Sequence, residues 1–105
     1  MPFEIRSERE ISVIYLSGRF VFDSNREFRE VTQQALLRTD TRILQLDMEK
    51  VEYLDSSALG MLLMLKEKVE TSGKSIQIKN LKGMARQVLE IANFHKVFTI
   101  LAEGV

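Results

Sequence analysis

Three times along its length the sequence leaves a short alternating apolar run, passes through a segment of helical period, and returns to another strand-type run. This rhythm constrains the fold more than any other feature, because strands joined through helices lie parallel and connect with right-handed crossovers. The strand runs are "ISVIYLSG", "RILQLDM", "SIQIKN" and "KVFTIL", and the helical segments between them are "FDSNREFREVTQQALLR", "SALGMLLMLKEKVET" and "KGMARQVLEIAN". Ahead of them "FEIRS" alternates Phe3 and Ile5 against Glu4 and Arg6. After the polar "ERE" it forms a hairpin with the next strand. The expected element order is ββαβαβαβ, an α/β fold.

Within that frame, Ser24 and Glu27 stand at capping-box spacing, and Phe28, Val31 and Ala35 repeat behind them, which predicts a helix over 24–38. Gly18 is expected to end the second strand. Leu44, Leu46 and Met48 share one face of the third, and "EKVEYLD" reads as a turn leading to a helix over 57–71 that Ser72 and Gly73 stop. In the last helix Met84, Val88 and Ile91 form the apolar side, with an end near Asn93. The single proline, Pro2, lies outside every predicted element.

A chain of 105 residues can bury roughly two-thirds of its unfolded surface, enough for one core, so a single domain over 1–105 is expected. Fifteen basic and fifteen acidic residues cancel, which removes the electrostatic footprint of a nucleic-acid binder and leaves proteins as the expected partners. There is no cysteine and one histidine, so neither a disulfide framework nor a metal site is expected, and no cofactor. No apolar run has the length of a signal peptide or of the ~20 residues a membrane span needs. The expectation is a cytoplasmic protein without membrane insertion, a monomer or weak dimer.

One segment departs from this ordinary picture. In "YLDSSALGMLLML" the helix is apolar at three of every four positions, with Lys66 its first charge. A helix on one face of a small sheet buries a stripe of roughly 100° or somewhat more, for which Leu59, Leu62, Leu63 and the stem of Lys66 would suffice. Met61, Met64 and Leu65 are then surplus, either covered by neighbouring helices or part of a docking surface. Asp55, Ser56 and Ser57 precede them where one cap would be enough. The same place suits an anion, since the first backbone N–H groups are unpaired and the helix dipole is positive there.

These residues bear a family resemblance. "YLDSSALGMLLML" resembles the DSSGLG segment of STAS-domain proteins, specifically the bacterial anti-sigma factor antagonists. "IYLSGRF", "RILQLDMEKVEYLDSS" and "VLEIANFHKVFTI" resemble the family's second strand, its third strand with the phosphorylation loop, and its carboxy-terminal helix and strand. The resemblance implies a mixed sheet with helices mainly on one face. It also implies a partner switch, in which the unphosphorylated protein binds a serine kinase that acts as an anti-sigma factor, and a PP2C-type phosphatase restores that form. By position Ser56 matches the phosphoacceptor, Asp55 and Ser57 the loop around it, and Leu59 and Gly60 the start of the helix. Partner contact is expected from Asp23, Ser24, Asn25, Gly60, Met61 and Met64. Where the family commonly has an aspartate three residues after the glycine of strand two, this sequence has Val21, with Asp23 two positions on. Many members continue into another helix after the last strand, whereas this sequence ends at Val105, as a shorter variant would.

Two other readings compete. A serine hydrolase would pair Ser56 or Ser57 with His95, but the G-x-S-x-G pattern is missing, so no enzyme activity is expected. A non-switching STAS subunit of a bacterial lipid-transport ABC system keeps the fold and makes Ser56 mainly a cap.

Overall fold

The computed structural model describes residues 3–102. Strands β1 (Glu4–Glu8) and β2 (Ile11–Phe20) form the hairpin, and a 3-10 turn (Phe22–Ser24) leads into α1 (Asn25–Leu37). Then follow β3 (Ile43–Leu54), α2 (Ser56–Thr71), β4 (Ser75–Lys79), α3 (Gly83–Ile91), a second 3-10 turn (Phe94–Lys96) and β5 (Thr99–Ile100). The five strands lie in sequence order, β1 antiparallel to β2 and the remaining neighbours parallel. Because each crossover steps to the next strand in one direction, a constant right-handed connection puts all three helices on one face. The burial pattern agrees: Ser12, Ile14, Leu16 and Phe20 are buried on β2, whereas Ile11, Val13 and Tyr15 on the other face are half-buried. The core is one cluster between this face and the helices, with Phe20, Leu44, Leu46, Met48, Leu62 and Ile78 fully enclosed.

The expected element order is therefore present, and the departures have identifiable causes. The segment expected to be a turn, "EKVEYLD", instead continues β3 as far as Leu54. Register shifts between Tyr15 and Ser17 and between Gly18 and Arg19 let the two long strands keep pairing. Gly18, at φ 67°, does not end β2 but takes the left-handed conformation at the second irregularity, which costs glycine little. The capping box of α1 does not form either. Ser24 turns its hydroxyl back, accepting from the Val21 amide at 3.2 Å and donating to the Arg19 carbonyl at 3.0 Å. Glu27 accepts from the Phe3 amide instead. Each side chain found a partner that sequence spacing could not display.

Two helix faces are rotated from expectation. On α2 the buried residues are Ala58, Met61, Leu62, Leu65 and Val69, while Leu63 is exposed. On α3, Ala85 and Leu89 point inward, and of the expected stripe Met84 is exposed and Ile91 83% accessible while Val88 is half-buried against the core. When two neighbouring stripes are both apolar, period alone cannot choose between them. On α3 the phase is fixed from outside the helix: buried Leu81 precedes it, Arg86 donates to the Leu81 carbonyl at 3.1 Å, and Lys82 pairs with Glu49 at 3.8 Å. The last strand is also shorter than expected. Phe94 and Phe98, stacked at 5.5 Å between centroids, anchor a turn where "KVFTIL" reads as strand.

Candidate functional site

Phe20 and Leu54 are the last paired residues of the parallel strands β2 and β3. The segments that follow, 21–25 and 55–57, therefore leave the same edge of the sheet side by side. This common exit brings together residues some thirty positions apart in sequence.

The start of α2 resolves the excess of caps. Asp55 is the N-cap, in extended backbone conformation, its Oδ1 accepting from the Ala58 amide at 3.0 Å. The Ala58 amide also reaches the Asp55 backbone carbonyl at 3.1 Å, so side chain and main chain of one residue together hold a first-turn amide of the helix. Ser57 is half-buried, whereas Ser56, the first residue of the helix, is exposed. Among the described residues no protein hydrogen bond holds the Ser56 hydroxyl. It stands beside the positive end of a sixteen-residue helix, free for a reagent to reach, where added negative charge is favoured rather than opposed by the backbone.

The residues from which partner contact is expected are placed in different ways. Asp23 is exposed on the 3-10 turn, whereas the Ser24 hydroxyl is engaged in closing that turn. Asn25 lines a shallow groove between α1 and α2 together with Phe28, Thr32, Met61, Met64 and Lys68. Of the surplus apolar residues, Met64 is 60% accessible and Met61 only 9%. Leu65 is buried as well, so Met61 and Leu65 belong to the core and Met64 with Leu63 to the surface. Gly60 is exposed, one turn after Ser56 on the same side of the helix, and a Cβ added there would meet nothing within 4 Å.

Two features of this edge were not anticipated. Phe22 is 65% accessible beside Asp23, a large aromatic at a turn whose only sequence signal is its place directly after a strand. Arg19 lies over the Tyr53 ring at 4.6 Å, a pairing created by the irregular β2–β3 register and so invisible in the sequence. Val21, at the position where the family resemblance leads one to look for aspartate, is half-buried.

The catalytic alternative is not assembled. His95 lies in the turn entering β5, and Ser56 follows the end of β3. In strands that run parallel these are opposite edges of the sheet. Among the described residues no group of three His, Cys, Asp or Glu side chains is placed to hold a metal ion, and no helix is long and apolar enough to cross a membrane.

Comparison with known proteins decides the family. The family described as "Mlab, STAS domain" matches residues 3–102. The chain belongs to the STAS-domain family. A STAS-domain containing protein of Pseudomonas aeruginosa (strain UCBPP-PA14) is 36% identical over 87 residues, covering 83% of this chain and 84% of that protein. Two solved structures show the same STAS fold. A putative anti-sigma factor antagonist from Thermotoga maritima superposes with TM-score 0.84 at 16% identity, covering 97% of this chain and 87% of the other. The Bacillus cell fate determinant SpoIIAA in its phosphorylated form gives 0.71 at 20% identity, covering 96% and 92%. At these identities the likeness speaks for the fold. In this STAS domain, the segment that resembles the family's phosphorylation loop is the one that carries Asp55 and Ser56 out of the sheet edge.

Proposed function

We propose that this STAS domain is a phosphorylation-gated binding protein of the anti-sigma factor antagonist type. Unphosphorylated, it docks a serine kinase that acts as an anti-sigma factor, or a related regulator, through the edge formed by 22–25 and the outer side of α2 from Ser56 to Met64. The kinase phosphorylates Ser56 and a PP2C-type phosphatase reverses it. The role is one of binding, without catalysis or cofactor, in the cytoplasm.

The observation that supports this most is the division of labour between Asp55 and Ser56. With Asp55 capping the helix, the exposed Ser56 hydroxyl has no structural task to surrender when it is modified. A phosphoryl group there adds about −1.5 to −2 charges. The attraction of the helix dipole, about 0.3–1 kcal/mol, offsets a repulsion from Asp55 of similar order in solvent. The fold therefore tolerates the modification. A partner does not, because an unpaired charge trapped in an interface costs several kcal/mol. Incubation with the cognate kinase and ATP, followed by mass spectrometry, tests the site: phosphate is expected on Ser56 and absent from Ser56→Ala. Modification persisting undiminished in that variant excludes Ser56.

A second reading keeps the fold and makes Ser56 mainly a cap: a non-switching STAS subunit of a bacterial lipid-transport ABC system. On that reading Ser56→Asp and Ser56→Ala bind the transporter equally and no phosphate appears at Ser56.

A further inference from the structure

We propose that β1 is a self-association strand, through which two copies of this chain join their sheets edge to edge as an antiparallel pair centred on Ile5. The inference does not rest on the switch reading and uses none of its residues.

β1 is an outermost strand, so among the described residues the backbone groups on its free side have no strand to pair with. Edge strands are usually protected by short length, bulges, prolines or charged side chains. Here the register with β2 is regular through all five residues, and the start of the strand is tied to α1 by the Phe3 amide donating to Glu27. The strand does carry charges, but of both signs. Glu4, Arg6 and Glu8 are exposed and alternate along the helix-free face. Among the described residues none of the three takes part in an ion pair.

An alternating series of this kind is complementary to itself. With Ile5 opposite Ile5 across a two-fold axis, Glu4 of each copy faces Arg6 of the other. Directly opposed residues of an antiparallel pair are roughly 4.5–5.5 Å apart, close enough for opposite charges to attract. Centring the pair on Arg6 instead would oppose Arg6 to itself and Glu4 to Glu8. The charges thus select the register as well as the partner. On the helix face the two half-buried Ile5 side chains, each already packed against its own core, would meet and continue that core across the junction.

Sedimentation velocity of the full chain over a concentration series tests this. A concentration-dependent dimer is expected for the wild type. Glu4→Arg and Arg6→Glu should each weaken it by at least about tenfold, since both symmetric ion pairs become repulsive at once. An equimolar mixture of the two variants should dimerise again, because the two reversed charges then face each other and the two native ones do likewise, and the double variant in one chain should do the same. Circular dichroism establishes that each variant is folded. A wild type that stays monomeric at millimolar concentration overturns the proposal. So do single variants that associate as well as wild type, or a mixture no better than its components.

Discussion

The Asp55 carboxylate accepts the Ala58 amide at 3.0 Å, and that single bond separates the structural task at the start of α2 from any regulatory one. Removing the cap should therefore matter to stability and removing the neighbouring hydroxyl should not. Asp55→Ala is expected to cost about 1 kcal/mol, a fall in Tm of about 4–8 °C for a domain of this size. Ser56→Ala should stay within about 0.5 kcal/mol of wild type. Thermal unfolding of the two variants side by side checks this, and equal losses would mean that Ser56 shares the capping.

Gly60 occupies a helical position where alanine would fit without contact. In an exposed helix interior alanine is better than glycine by roughly 0.8–1 kcal/mol. Gly60→Ala should accordingly raise stability to urea by about that amount. If a partner's backbone approaches α2 at this flat spot, the same variant should bind it more weakly despite being more stable. A variant that is neither stabilised nor impaired would leave Gly60 without a role in either state.

The orientation of α2 can be read from truncations. Leu62 is completely buried, and Leu62→Ala should cost about 2–5 kcal/mol through lost burial and the cavity left behind. Leu63→Ala and Met64→Ala, on the open side, should each cost under about 0.5 kcal/mol. Chemical denaturation measures all three. A large loss at Leu63 would rotate the helix back to the face read from the sequence.

Asp47 sits buried on β3, accepting from the Glu49 amide at 2.9 Å and from Asn80 Nδ2 at 3.0 Å. Asn80, at φ 57°, is thereby held in the left-handed turn that leads from β4 to α3. Asp47→Ala strands both donors and should cost about 1–3 kcal/mol. It should also speed amide exchange at the start of α3, which hydrogen-exchange mass spectrometry would detect. Unchanged exchange there would mean the Lys82–Glu49 pair suffices to hold the turn.

What was legible in the sequence follows from where the information resides. Alternation in "RILQLDM" and helical period in "REFREVTQQALL" are local, and the element order came from them. The phase of α2 and α3 was not local: Met64 and Leu65 are equally apolar as letters, and only the sheet beneath decides that Leu65 goes in. The same holds for the long β3, whose second half pairs because β2 carries two irregularities opposite it. At the candidate site the letters "DSS" named the place, but not that Asp55 takes the cap. Phe22 and the Arg19–Tyr53 stack depend on strands meeting at one edge, which no local pattern encodes.

The central claim is that charge at Ser56 gates a protein partner, and comparative capture tests it most directly. Ser56→Ala and Ser56→Asp, immobilised at equal density, are presented with lysate of the source cells and the bound proteins quantified. The account predicts a regulator of the serine-kinase type retained by Ser56→Ala and depleted about tenfold or more on Ser56→Asp, the ratio that about 1.4 kcal/mol of differential binding produces. Identical proteins captured in equal amounts by the two would contradict it.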